Sequence, residues 1–330
     1  MTTSNRSASS VVEASVSALR ANNDDDSIAV ARRSRPGDRG SKAWWAARRG
    51  WLFVIPALVA YIMFVIYPLI LGAQYSLYKW NGVGPAEFIG VANYLRVFTD
   101  PDLLASIGNA FILIAFFTII PVSSGLMLAT LIRSIKPGPF SSASQAILFL
   151  PQIIPLAAAG IAWSWMYAQT GAVNQILTAV GLGGITRPWL GDFQTALPAV
   201  GLIGSWVLTG LCTVLFLTGI SKIDSALFEA ARLDGAGWFR EFISVTVPGV
   251  RQEIAVLTTI TIIAALSSFD IIYTTTLGGP GRSTLVPGIS IYRIGFTQSD
   301  VGLASAFGIV LMILVLACVL PIQRLSRERD

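Results

Sequence analysis

Few side chains in this 330-residue sequence have the chemistry for catalysis or metal binding. Histidine is absent, which removes the commonest general base and the commonest metal ligand together. The two cysteines, Cys212 and Cys318, both lie inside apolar runs and read as packing residues. Neither a disulfide framework nor a metal site is expected from them. No G-x-x-x-x-G-K-[ST] pattern occurs, so the chain is not expected to hold ATP itself. The stretch "GDRGSK" at 37–42 is a superficial echo with the wrong spacing, and the glycines of "GGPGRST" at 278–284 do not form a phosphate loop either. Two features remain. One is a polar stretch, "EAARLDGAGWFREFISVTVP", from Glu229 to Pro248, carrying the acids Glu229, Asp234 and Glu241. The other is Asp270, an acid inside an otherwise apolar run.

The elements that hold these residues are membrane spans. The chain is 54% hydrophobic and 12% charged, with a mean hydropathy of +0.67. Soluble domains carry about 25% charged residues. Six apolar runs, at 51–77, 107–132, 146–168, 197–220, 254–277 and 303–322, each have the ~20 residues needed to cross ~30 Å of hydrocarbon. The expected fold is all-α, a polytopic membrane protein with six transmembrane helices spread over a domain at 44–325. Pro56 and Pro68 predict kinks in the first span. Residues 1–43, rich in Ser, Ala, Asp and Arg, read as a disordered tail that stays attached, and 326–330 as a short C-terminal tail.

Lysine and arginine give the orientation. With the N-terminus inside, 18 of them fall in inside segments and 5 in outside segments. Both termini and the 221–250 loop are then cytoplasmic. The net charge of +5 reads as a topology signal, with lipid and not nucleic acid as the surrounding partner. Small residues at four-residue spacing, Gly201 with Ser205 and Ala304 with Gly308, predict closely packed helices.

Within the loop, Ser221 and Asp224 have capping-box spacing, and 225–233 are good helix formers. Asp234-Gly235 is a stop, with Gly235 free to turn left-handed. "WFREFISV" then restarts a helix before Pro248. Ala230 and Ala231 make one flank of the first helix smooth, with Leu227, Phe228 and Leu233 as apolar edges. Such a helix suits a groove on another protein. It suits equally a place on the lipid surface, anchored by Trp238 and Phe239.

The spacing of Glu229, Ala230, Ala231, Asp234, Gly235, Ala236, Phe242, Val245 and Pro248 resembles the EAA loop of binding-protein-dependent ABC transporter permeases. Other stretches resemble the carbohydrate-uptake branch, the maltose- and glycerol-phosphate-type permeases. They are "FIGVANYLRVFTDP" (88–101), "FLPQIIPLAAAGIAWSWMY" (149–167), "GAVNQIL" (171–177), "WLGD" (189–192), "SSFDIIYTTTLGGPGRST" (267–284) and "IYRIGF" with "VGLASAF" (291–307). The resemblance covers roughly 50–325. It implies the ABC importer permease fold in a cell inner membrane. It also implies pairing with a second permease, two ATPase subunits that hold ATP and Mg, and an extracytoplasmic solute-binding protein that delivers a sugar. In that family the loop couples ATPase motion to the spans. The implied coupling residues are Glu229, Ala230, Ala231, Asp234, Gly235 and Ala236.

Candidate solute-pathway residues are Asp270, Tyr273, Thr274, Trp163 and Trp206. A charge at the bilayer centre costs ~2.5–3.5 kcal/mol, so Asp270 is expected to face the bundle interior. It can contact solute, or only pack and cap helices. Trp163, Trp165, Tyr167 and Trp206 can stack on a sugar or simply fill the core and the interfacial belt. An ion-coupled secondary carrier is an alternative, and a lipid enzyme built on the loop acids a weaker one. One intramembrane acid, the lack of a visible repeat and the loop all weigh against the carrier.

Overall fold

The computed structural model describes residues 54–135 and 138–327, with side chains as far as Arg324. The tail expected at 1–43 and the last three residues lie outside this range. The chain divides into two units, Met1–Pro68 and Leu69–Asp330. Helix α1, Val54–Tyr75, runs through the boundary. A two-stranded hairpin follows, with β1 (Tyr78–Lys79) antiparallel to β2 (Glu87–Phe88). Then come α2 (Ala92–Thr99), α3 (Pro101–Ser134), α4 (Pro139–Ile153), α5 (Leu156–Met166) and α6 (Ala172–Ala179). The long α7 (Ala196–Ile220) leads to α8 (Ser225–Leu233), α9 (Trp238–Gly249) and α10 (Arg251–Leu266). The chain ends in α11 (Asp270–Thr275), α12 (Pro287–Tyr292) and α13 (Val301–Arg327).

Among the described residues, α1, α3, α7 and α13 are long and apolar enough to span a membrane. The count reaches six if each of two bent helix pairs is one span. The run at 146–168 is one of these. It is α4 and α5, bent by 97° at Ile154-Pro155. Pro155 has no N–H to continue the ladder, and it forces Ile154 into an extended conformation. The run at 254–277 is also interrupted. Its helix α10 stops at Leu266, and α11 starts only at Asp270.

Three other prolines follow widened turns, and only at Pro248 does a break come soon after, with α9 and α10 bent by 72° at Val250. π-helical turns at Ile62–Ile66, Ala115–Ile119 and Phe242–Thr246 each end two residues before a proline, at Pro68, Pro121 and Pro248. A proline ring clashes with the carbonyl four residues back, and a widened turn relieves that clash. Local sequence thus places three of the irregular turns.

The core lies between α3 and α7. A Cβ on Gly201 would meet the Phe116 ring, and one on Gly204 the Phe117 ring. Gly125 approaches Cys212 in the same way. Ser205 donates to the carbonyl oxygens of Phe116 and Gly201, each at 2.8 Å. The predicted Gly201–Ser205 pair is therefore a packing seam. Its Ala304–Gly308 counterpart is only half so: Ala304 is buried beside Gly295, but Gly308 has open space around it.

Motif residues on the hairpin side hold the frame. Asn93 donates to the carbonyls of Ser76 and Tyr78, both at 2.9 Å, and the Tyr94 hydroxyl lies 2.7 Å from Ser76 Oγ. Asp100 caps α3 by accepting from the Asp102 amide at 2.8 Å, with Pro101 at the first helical position. Trp189 Nε1 donates to Asn174 Oδ1 at 2.8 Å, joining the "GAVNQIL" and "WLGD" stretches.

Candidate functional site

The loop from 221 to 250 folds as two helices joined by a turn at Gly235. Asp224 opens α8 by accepting from the Ala226 amide at 2.9 Å. Ser221 has no part in this cap, contrary to the capping-box expectation. Its hydroxyl donates back to Leu217 O at 2.7 Å and so closes α7. The far end of α8 is a Schellman motif. The Gly235 amide donates to Arg232 O at 3.0 Å, and the Ala236 amide to Ala231 O at 2.9 Å. This geometry requires a left-handed residue, and Gly235 has φ of +76°. A Cβ there would meet nothing within 4 Å, so the demand for glycine is conformational and not steric.

One side of α8 is anchored and the other is free. Phe228 is 2% exposed and is the anchor. Ala226, Leu227, Ala230 and Leu233 recur at helical spacing on the open side, and Leu233 is 89% exposed. Glu229 and Asp234 are exposed beside them, while Ala231 and Ala236 are half-buried. The smooth flank expected of Ala230 and Ala231 is thus shared between the open face and the packed one.

Electrostatics fix the loop to the end of α3. Arg232 donates to Glu241 from Nε at 2.9 Å and from Nη2 at 3.2 Å. Glu241 hydrogen bonding holds the Arg232 guanidinium above its usual pKa. Arg133, in the last turn of α3, places Nη1 4.0 Å from Glu241 Oε1. Its guanidinium carbon sits 3.4 Å from the centre of the Phe228 ring. A cation over an aromatic face contributes about 1 kcal/mol. Thr130, Ser134, Ala236 and Trp238 complete a groove of about 520 Å³ beside this cluster. The sequence reading missed Arg133, Phe228 and Glu241 as a group. No spacing rule joins a residue of α3 to one of α9.

The second candidate region lies at the break between α10 and α11. Asp270 is exposed in the first turn of α11, at the start of a helix and not within a continuous span as the apolar run predicted. It lines a cleft of about 200 Å³ with Phe117, Leu156, Leu208 and Ser267. Tyr273 is half exposed. It stacks on Phe269 at 5.1 Å and meets Tyr292 edge-on at 5.5 Å, and Tyr292 in turn contacts Phe296 at 5.4 Å. Phe269, Tyr292 and Phe296 were not singled out from the sequence. Thr274 stands apart from this row. Its hydroxyl donates to Asp270 O at 2.9 Å, and its side chain fills the space beside Gly160 where α5 and α11 touch. Trp163 and Trp206 pair edge-to-face at 5.6 Å, and Trp163 also contacts Tyr167 at 5.1 Å. Trp163 packs on the core and lines a separate apolar cavity of about 340 Å³ with Trp189.

Comparison with known proteins bears on both regions. Residues 122–329 match the model for the binding-protein-dependent transport system inner membrane component. The probable ABC transporter permease protein YurN of Bacillus subtilis is 34% identical over 81% of this chain and 92% of its own. The diacetylchitobiose uptake system permease protein NgcF of Streptomyces coelicolor is 32% identical over 82% of this chain and 80% of its own. The lactose transport system permease protein LacF of Rhizobium radiobacter is 30% identical over 81% of this chain and 91% of its own. A bacterial ABC transporter that imports the acidic polysaccharide alginate shares the fold. Its chain has a TM-score of 0.75, at 24% identity over 87% of this chain and 99% of that one. The exposed, glycine-stopped helix between apolar helices fits what these similarities show: the chain belongs to the binding-protein-dependent transport system inner membrane components, the multi-pass permease subunits of ABC importers.

Proposed function

We propose that this permease lines half of the pathway of an ATP-driven sugar importer and couples to its ATPase through α8. The observation that carries the coupling reading is the asymmetry of α8. Phe228 pins one side, while Ala226, Leu227, Ala230 and Leu233 stand open as an apolar stripe bordered by Glu229. A short helix of this kind fits a cleft on a partner, and Glu229 supplies a charge-assisted contact at its edge. Two ATPase subunits hold the ATP and Mg, and a second, non-identical permease completes the pathway. An extracytoplasmic binding protein delivers the solute.

The sugar class is supported by the aromatic row Phe269, Tyr273, Tyr292 and Phe296 beside Asp270. Rings present flat apolar faces to sugar carbons, and an acid accepts from hydroxyls. Relatives named for diacetylchitobiose and lactose point the same way. The test is purification of the tagged chain from its native membrane in mild detergent. Recovery of a second permease and an ATPase that cross-links to a cysteine at position 230 is expected. Recovery of the chain alone, with ATP-independent transport, would instead establish an ion-coupled carrier.

A further inference from the structure

Helix α8 is continuous in backbone with α7 and α9, but α3 reaches it only through side chains. We infer that Glu241 is a positioning residue that latches α8 to the end of α3, so that displacement of α8 moves α3 directly. The inference rests on the reading of α8 as the ATPase-facing helix.

Glu241 sits in α9, between the two arginines it joins. Both its oxygens accept from Arg232, in the last turn of α8, and the Arg133 guanidinium of α3 approaches at 4.0 Å. The Glu241 side chain is only 13% exposed, so water competes weakly for the carboxylate. Arg133 is held a second time, over the ring of Phe228 on α8 itself. Three helices are therefore cross-braced at one point by two charges of one sign, one of the other, and a ring.

Moving α3 has a direct consequence for the solute region. Its π-helical turn, Ala115–Ile119, touches α10, where Thr261 Oγ1 donates to Thr118 Oγ1 at 3.0 Å and both residues are buried. Phe117 of the same turn lines the cleft that holds Asp270. Helix α3 thus runs from the latch at Arg133 to the cleft at Phe117.

The test measures motion of α3 in the full complex, co-expressed with its ATPase subunits. Spin labels on Leu131→Cys of α3 and Leu320→Cys of α13, in a Cys318→Ser background, report their separation with and without ATP plus vanadate. Both positions are exposed. In the parent the separation is expected to change on nucleotide trapping. In Glu241→Gln, which keeps shape and loses charge, that change is expected to fall by half or more while ATPase recovery stays the same. Arg133→Gln tests the same latch from another helix, and the double variant is expected to be no worse than the more affected single one. An α3 that does not move in the parent, or that moves as far in both single variants as in the parent, would overturn the latch. So would loss of ATPase from Glu241→Gln, which would make Glu241 a docking contact. Absence of ATPase from the parent would instead overturn the coupling reading on which the latch rests.

Discussion

Arg133, at the end of α3, places its guanidinium carbon over the ring of Phe228, the one buried residue of α8, 3.4 Å from the ring centre. The contact joins the longest helix that begins near the hairpin to a helix otherwise facing away from the bundle. Phe228 is thereby both the apolar anchor of α8 and the seat of a charge.

Truncating that anchor should loosen the loop. Phe228→Ala removes a ring that is 2% exposed, at a cost of about 3–5 kcal/mol for a buried phenylalanine. We expect faster proteolysis between 225 and 240 with the remaining helices intact, read by limited digestion of the purified protein. An unchanged digestion pattern would show that α8 is held by other contacts.

Gly235 should be demanding for its backbone alone. At φ of +76° a β-branched residue is strained by about 1–3 kcal/mol, whereas asparagine tolerates the conformation. Gly235→Val is expected to lower transport per ATP hydrolysed without changing the amount of protein in the membrane, and Gly235→Asn to retain most of the parent's ratio. Equal uptake in all three proteins would remove the coupling role from this turn.

Close packing of α3 on α7 should be intolerant of one methyl group. A Cβ on Gly204 would run into the Phe117 ring. Overpacking of this kind costs about 1–3 kcal/mol. Gly204→Ala should lower the melting temperature in detergent, and pairing it with Phe117→Leu should recover part of the loss. Gly308→Ala, where space is open, should melt like the parent.

Asp270 should matter for solute and not for assembly. Among the described residues its carboxylate has no hydrogen-bond or ion-pair partner, and it opens onto the cleft. Asp270→Asn is expected to leave the complex intact and to reduce uptake several-fold, and Tyr273→Ala to do the same through the aromatic row. Lost assembly with normal uptake by the remaining complexes would assign Asp270 to helix packing instead.

Much of this architecture was legible in the chain because its causes are local. Apolar runs of span length predict helices wherever water is absent, and the observed α7 matches the run at 197–220 almost residue for residue. The stop at Asp234-Gly235 followed from the one residue that turns left-handed without strain. Prolines at 68, 121 and 248 lie two residues past their π turns, although only kinks in the first span were expected of them. Composition excluded histidine chemistry, and the spacing of the loop pointed to its family.

Tertiary structure decided what depends on pairs distant along the chain. Whether a proline bends a helix by 97°, as at Pro155, or is absorbed, as at Pro121, depends on what neighbouring helices pack against the freed carbonyls. The break at Ser267–Phe269 set Asp270 at a helix start instead of within a span. Glu241 could not be matched with Arg133 from spacing, because the pair exists only once α3 and α9 are side by side. Periodicity reports which way a side chain faces on its own helix. Which charge waits on the neighbouring helix is fixed by how the small residues of α3 and α7 let the bundle close.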